Sequence, residues 1–147
     1  MNIEQVKNLR EESGVSVQEC QRALKEANGD IEKAREVLRK WGKTVAQKKA
    51  ERETKTGIIE TYVHPNKKVG VLMEIDCETD FVAKSSDFQA LAHELCLQAA
   101  GWCDEETPLV DQPWIKDQSK TIKDLLDEYV AKLGENITVK RFVRYQI

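Results

Sequence analysis

The stretch VGVLMEIDCETDFVA, residues 69–83, joins a predicted strand to a connection of unusual composition. Apolar residues stand at every second position from 69 to 77, which is typical of a strand with one buried face. Behind the strand, the apolar triple at 81–83 follows Thr79 and Asp80 in a connection. Apolar side chains in a connection are either covered by the fold or offered to a partner. The spacing leaves both a buried anchor and a binding finger open.

Alternating patterns around this stretch predict a small antiparallel sheet. Residues 58–64 form a first strand, residues 65–68 a turn and residues 69–77 a second strand. Residues 137–147 close the chain as a third strand. The side chains expected to share one face of that third strand are those of Ile137, Val139, Val143, Tyr145 and Ile147, with Arg141 interrupting the face.

Two helices are predicted between the second and third strands. Residues 86–89, SDFQ, are typical of a capping box, and the helix behind them is expected to stop at Gly101. After a loop, Ser119 is expected to begin an amphipathic helix that ends at Gly134. The inward faces of the two helices are expected to hold Phe88, Leu91, Ala92, Leu95 and Ala99, and Ile122, Leu125, Leu126, Tyr129, Val130 and Leu133.

The first forty residues predict three short helices. The first stops before Gly14, and a second begins at the capping box of residues 16–19, SVQE. Asn28-Gly29 ends that helix, Asp30 caps the third, and Gly42 is expected to end it. Helical spacing relates Ile3, Val6 and Leu9 in the first helix and Cys20, Ala23, Leu24 and Ala27 in the second. The inner face of the third helix is expected to hold Ile31, Ala34, Val37, Leu38 and Trp41.

The composition changes between residues 39 and 55, where seven Lys or Arg stand against two Glu, a local charge of +5. We interpret this segment as a solvated linker, partly helical, with an arm that contacts RNA or phosphate as the alternative. The predicted fold class is therefore α+β: a three-helix bundle, a linker, and a three-stranded antiparallel sheet covered by helices. The predicted domains are residues 1–42, a basic linker at 43–55 and a core at 56–147.

Composition and charge restrict the class of protein. The net charge of −3 disfavours nucleic acid as the main partner. No run approaches the ~20 apolar residues of a membrane span, and the N-terminal residues lack the apolar core of a signal peptide. The four cysteines contain no C-x-x-C pair, which favours reduced thiols. We therefore expect a cytoplasmic protein.

The acidic row Glu74, Asp76, Glu78 and Asp80 invites comparison with a calcium-binding loop, which takes ligands at alternate positions. Such a loop needs glycine for its sharp turn, and that position is Phe81 here. A strand also precedes the row where a helix is required. We interpret Glu74 and Asp76 as residues on the solvent face of a strand.

Histidines and cysteines do not form a familiar metal site. A zinc site of His93, Cys96 and Cys103, with His64 or Cys77, has spacings that match no ligand pattern. The sequence also lacks a Gly-rich phosphate loop and a nucleophile–base motif. We expect no metal, no cofactor and no enzymatic activity.

Motifs along almost the whole chain resemble those of the bacterial elongation factor Ts family. They are LREESG at 9–14, EANGDIEKA at 26–34, VGVL at 69–72, CETDFVA at 77–83, QPW at 112–114, KLGENI at 132–137 and KRF at 140–142. The resemblance implies a bundle of the ubiquitin-associated (UBA) type followed by an α+β core. It also implies a guanine-nucleotide exchange factor that binds elongation factor Tu, both loaded with GDP and free of nucleotide.

The resemblance further implies two partner-binding surfaces. The nucleotide-releasing finger of the family corresponds to Asp80 and Phe81, supported by Val82. The bundle is expected to touch the GTPase through Val17 and Gln18, with Arg10 nearby. Many members carry methionines where this chain has Val17 and Gln18. Many also carry a second core subdomain and a helical hairpin that are missing here.

Two further expectations concern partners. Short members of the family pair two chains, and the open edges of a three-stranded sheet are compatible with a homodimer. The alternative to an exchange factor is an adaptor of the translation or nascent-chain machinery that binds through the bundle alone. An adaptor has no need of the Asp80-Phe81 finger, so residues 77–83 distinguish the two.

Overall fold

The computed structural model describes residues 2–147 and confirms the α+β class. The helices are α1 (Ile3–Ser13), α2 (Val17–Glu26), α3 (Ile31–Lys49), α4 (Asp80–Ala83), α5 (Ser86–Gly101) and α6 (Ile122–Leu133). The strands are β1 (Thr56–Val63), β2 (Val69–Cys77), β3 (Pro113–Trp114), β4 (Asp117–Thr121) and β5 (Thr138–Gln146). A 3-10 turn covers Leu109–Asp111. No helix within residues 2–147 has the length and apolar character needed to cross a membrane.

The main sheet has the order β1-β2-β5, and both pairings are antiparallel. Its inner face packs on α5, which lies against β1 and β2. The inward residues predicted for β2 and α5 are confirmed: Met73, Ile75, Phe88, Leu91 and Leu95 are almost fully buried. This layer of helix on sheet forms the larger of two hydrophobic cores.

Strand β5 does not keep one apolar face, so that prediction is wrong. The register shifts between Glu74 and Ile75, which pair with Arg141 and Val139 and leave one extra residue on β5. A bulge of this kind reverses the side to which the following side chains point. Val139 therefore packs against the core, whereas Val143 lies on the outer face.

The bundle has its own small core, and its third helix continues beyond it. The prediction that Gly42 ends this helix is wrong, because α3 runs to Lys49. Gly42 is buried where α3 crosses α6, and a Cβ there would lie 3.6 Å from the Cβ of Ala131. Packing against α6 offsets the roughly 1 kcal/mol that glycine costs inside a helix. Whether the division at residues 42 and 43 separates folding units stays a prediction.

The capping box predicted at residues 16–19 is only half formed. The Ser16 hydroxyl accepts a hydrogen bond from the Glu19 amide at 3.3 Å. The Glu19 carboxylate binds the Arg22 side chain, at 2.7–2.8 Å, in place of the Ser16 amide. An ion pair one turn along α2 thus replaces the second half of the box.

The predicted start of helix α5 is wrong by one residue, and the start of α6 by three. Ser85 caps α5, its hydroxyl accepting from the Phe88 amide at 3.2 Å. Ser119 lies in β4, and α6 begins after a complete capping box of Thr121 and Asp124. Polar residues ahead of each helix offer several caps, and the tertiary contacts select one of them.

The segment after α3 is held against the core. The Asn136 side-chain amide donates to the carbonyls of Ala50 and Arg52, at 3.3 and 2.9 Å. The Lys49 ammonium donates to the Gly134 carbonyl at 2.9 Å. The predicted linker is therefore in part helical and in part tied to the end of α6.

Candidate partner-binding site

The apolar triple at residues 81–83 is divided between the core and the solvent. It lies in α4, a single turn whose N-cap is Thr79. Val82 and Ala83 are buried in the core, but Phe81 is 87% exposed. Both interpretations of the sequence therefore hold at once, since two side chains anchor the turn and one is offered outward.

Hydrogen bonds fix the turn below Phe81. One oxygen of the Glu135 carboxylate accepts from the backbone amides of Glu78 and Thr79, at 3.1 and 2.9 Å. The other oxygen accepts from the Thr79 hydroxyl at 2.7 Å. The Thr56 hydroxyl also donates to the Asp80 carboxylate, at 2.6 Å. The exposed ring therefore stands on an ordered base.

The thiol of Cys77 lies beneath the same turn and donates to the Thr79 carbonyl at 3.3 Å. Burial, with a smaller contribution from the nearby Glu135 carboxylate, raises the pKa of Cys77 to about 11. The thiol is protonated at neutral pH, so it acts as a small buried packing group and weak donor.

The bundle presents a second candidate surface between α1 and α2. This surface, called the bundle groove below, is lined by Ile3, Val6, Lys7, Arg10, Val17 and Gln21. Ile3 is 85% exposed and Val17 39% exposed, so the groove offers apolar area to solvent together with the basic side chains of Lys7 and Arg10. The structure thus brings Arg10 and Val17 together, whereas Gln18 is exposed beside the groove and does not line it.

Two residues of the acidic row on and after β2 form ion pairs within the chain. Glu74 pairs with Arg141 at 3.0 Å, and Glu78 pairs with Arg52 at 3.7 Å. Burial, followed by the neighbouring Glu74, raises the pKa of Asp76. In the part of the chain that the structure describes, no group of three His, Cys, Asp or Glu side chains is placed to hold a metal ion.

The cysteines considered as zinc ligands lie in different environments. Cys77 and Cys96 are buried in the core, and Cys103 is exposed in the loop after α5. His93 is exposed on α5 and lies edge-on to the Tyr62 ring. Cys77 and Cys96 are thus core thiols and His93 is a solvated side chain, whereas Cys103 is a surface thiol.

Sequence reasoning missed the role of Glu135. Its partners at residues 78 and 79 are 57 and 56 positions away along the chain. The only local signal is its place directly after Gly134, the left-handed residue that ends α6. Such a position brings the chain back toward the sheet, but it does not say which loop a carboxylate there will bind.

Comparisons with known proteins point to one family. The family model described as Elongation factor TS matches residues 78–147. Elongation factor Ts of Coprothermobacter proteolyticus is 39% identical over 188 aligned positions, which cover 97% of this chain and 95% of the relative. Those of Thermotoga maritima and Fervidobacterium nodosum are 39% and 40% identical, covering 100% of this chain and 96% and 98% of the relatives.

The alignments are longer than this chain. Because 188 aligned positions exceed 147 residues by 41, at least that many positions of the Coprothermobacter relative have no counterpart here. Since nearly all of both chains is aligned, the missing positions lie inside the chain and not only at its ends.

Proposed function

This chain belongs to the elongation factor Ts family and is a translation elongation factor, and we propose that it is the guanine-nucleotide exchange factor for elongation factor Tu. In this proposal it binds the GDP form of that GTPase in the cytoplasm, promotes GDP release and stays bound to the nucleotide-free form. It makes and breaks no covalent bond. The partner and the reaction are those that the resemblance implies.

The observation that carries the proposal is the exposure of Phe81 on an anchored turn. A phenylalanine at 87% exposure gains nothing for the fold of its own chain. Glu135 nevertheless accepts a hydrogen bond from the Thr79 amide, and Thr56 donates one to the Asp80 carboxylate, so the residues directly ahead of the ring are held in place. A rigid base with an exposed apolar tip fits a wedge that enters an apolar crevice of a partner.

Exchange by a wedge is a coupling between two ligands of one GTPase. If this protein weakens the hold of the GTPase on GDP, GDP weakens its hold on this protein by the same factor. A release acceleration of ~10⁴-fold corresponds to about 5.5 kcal/mol, at 1.36 kcal/mol per factor of ten. Burial of one phenylalanine contributes roughly 1.5–3 kcal/mol. The ring therefore supplies only part of the free energy that shifts the elements holding Mg²⁺ and the phosphates, and other contacts of the α+β core with the GTPase supply the rest.

The bundle groove is the second surface in the proposal. It offers apolar area from Ile3 and Val17 with Lys7 and Arg10 at its border. Docking there raises the local concentration of the finger at the GTPase, because both surfaces belong to one chain. Gln18 lies beside the groove, where it is available for a polar contact.

The test of the proposal is Phe81→Ala in a GDP-release assay with fluorescent GDP on the cognate elongation factor Tu. We expect the variant to fold and bind but to release GDP roughly 10- to 100-fold more slowly at saturation, from the lost burial of one ring. The matched control is Phe142→Ala, which removes a 42% exposed ring from β5 and is expected to leave release unchanged. Equal release by Phe81→Ala and the parent would refute the wedge.

A homodimer is the second partner in the proposal. The outer face of the main sheet is uncovered and apolar, with Ile59, Val63, Leu72, Val143 and Tyr145 all exposed. Leu72 stands at its centre, between Thr61 and Val143. We expect the chain to have twice its monomer mass in solution and Leu72→Glu to have the monomer mass, by light scattering. A monomeric parent would refute this part of the proposal.

A further inference from the structure

We propose that Glu135 is a positioning residue for Phe81, whose carboxylate sets the conformation of the turn that presents the ring. This inference rests on the proposed exchange function, because it assigns Glu135 a part in GDP release. Glu135 does not touch the partner in this scheme. It acts through Thr79 and α4.

The contacts converge on the two residues that precede α4. Both oxygens of the Glu135 carboxylate are used, one by the amides of Glu78 and Thr79 and the other by the Thr79 hydroxyl. Hydrogen bonds to an ionised acceptor are roughly twice as strong as bonds between neutral groups. Three of them therefore fix the backbone directly ahead of Asp80 and Phe81.

The Thr79 hydroxyl transmits this restraint to the helical turn. It donates to Glu135 at 2.7 Å and accepts from the Val82 amide at 3.3 Å. Donation to the carboxylate directs its lone pairs toward the amide and so orients the N-cap. A helix of four residues is not stable by itself, because the free-energy cost of helix nucleation exceeds what the hydrogen bonds of a single turn contribute. The conformation of α4 therefore depends on this cap.

Glu135 is itself held on both sides. Gly134 ends α6 in the left-handed conformation at φ 77°. Asn136 is 5% exposed and binds the carbonyls of Ala50 and Arg52, and Ile137 is buried in the core. A side chain between fixed neighbours can position a second element, which a side chain on a mobile loop cannot do. The same segment thus joins the base of the finger to the end of α3.

The first measurement is hydrogen exchange of single amides in the free protein. In Glu135→Ala we expect the Thr79 amide to exchange at least about tenfold faster than in the parent, because its acceptor is gone. Glu135→Gln keeps one carbonyl oxygen for the two amides, so we expect its Thr79 amide to exchange at a rate between those of the parent and Glu135→Ala. The matched control is Glu105→Ala, since the exposed Glu105 side chain makes no hydrogen bond or ion pair among residues 2–147. Unchanged exchange at Glu78 and Thr79 in Glu135→Ala would overturn the inference.

The second measurement is a double-mutant cycle in GDP release. We expect Glu135→Ala to slow release about tenfold at saturation, and Phe81→Ala with Glu135→Ala to be no slower than Phe81→Ala alone, because Glu135 acts through the ring. Effects that multiply would show that Glu135 acts independently and would overturn the inference.

The cycle also separates this inference from the function on which it rests. Slow release by Phe81→Ala with parental release by Glu135→Ala would overturn the positioning role and leave the proposed function intact. Parental release by Phe81→Ala would overturn the proposed function, and the positioning role with it. Unfolding of each variant in urea shows whether a change in global stability accompanies either result.

Discussion

The bundle and the α+β core both expose apolar side chains, but they hold them differently. In the core, a single ring stands on a turn tied to segments distant along the chain, because Glu135 accepts hydrogen bonds from it and Thr56 donates one to Asp80. In the bundle, Ile3 and Val17 lie in the first turns of α1 and α2, where the N-caps Asn2 and Ser16 each accept one hydrogen bond from an amide of their own helix, at 2.9 and 3.3 Å. Rigid presentation suits a group that must distort its partner, whereas an adaptable surface suits docking. Under the proposed function, this difference gives the two surfaces different tasks.

The two regions also differ in the amount of core that supports them. Nine buried residues form the bundle cluster and nineteen the core cluster, so the bundle alone is marginal. Helix α3 connects them, with Leu38 in the bundle cluster and Ala46 in the core cluster. The Lys132 side chain of α6 packs against Gly14, so close that a Cβ at Gly14 would lie 2.5 Å from it. The bundle is therefore stabilised in part by the core.

The largest expected effect comes from truncating one buried leucine to alanine in each of the two regions. Leu24 in the bundle and Leu91 in the core are 2% and 0% exposed, and truncation of a buried leucine to alanine costs about 2–5 kcal/mol. We expect Leu91→Ala to lower the free energy of unfolding of the whole chain. We expect Leu24→Ala to speed hydrogen exchange in α1 and α2 while β2 and α5 keep their protection, because a small unit opens locally.

Amide exchange resolved by residue, together with unfolding in urea, checks this pair. If Leu24→Ala speeds exchange in β2 as much as in α2, bundle and core form one cooperative unit. The assignment of separate tasks to two separately stable regions would then fail, and the difference between them would lie only at their surfaces.

Much of the fold was predictable because the patterns that specify it are local. The strands of the first hairpin, the inward face of α5 and the left-handed stop at Asn28 and Gly29 all follow from spacing and turn chemistry. The errors arise where a distant element decides. Gly42 stays helical because α6 packs on it, and the bulge in β5 depends on how that strand pairs with β2.

The candidate site was less predictable than the fold. Residue order placed Phe81 beside buried neighbours, and no spacing rule says which member of an apolar triple points outward. Its exposure follows from a single helical turn that directs Val82 and Ala83 into the core. Glu135, which fixes that turn, lies 56 residues beyond Thr79, so only the folded chain brings the two together.

The smallest expected effect concerns the bundle groove and decides whether docking and release are separable. Val17→Ala removes only a small apolar surface from the groove, because Val17 is 39% exposed in the parent. We expect it to weaken docking by about 1 kcal/mol. The concentration of this protein that gives half-maximal GDP release should therefore rise roughly fivefold. Val17→Met enlarges the apolar surface toward the residue that many family members carry, so we expect it to act in the opposite direction.

We expect Arg10→Ala to weaken docking by less than about 1 kcal/mol, because an exposed charge contributes little. The difference between Arg10→Ala and the parent should become smaller at high salt, which screens the charge. The matched control is Arg22→Ala, because the Arg22 guanidinium pairs with Glu19 and Glu26 within α2 and does not line the groove. In every groove variant the maximal release rate should equal that of the parent, since the groove contributes equally before and during release. Val17→Ala could instead lower the maximal release rate and leave the half-saturating concentration equal to that of the parent. That result would show that the groove also distorts the GTPase. The contrast between an adaptable docking surface and a rigid wedge would then no longer hold.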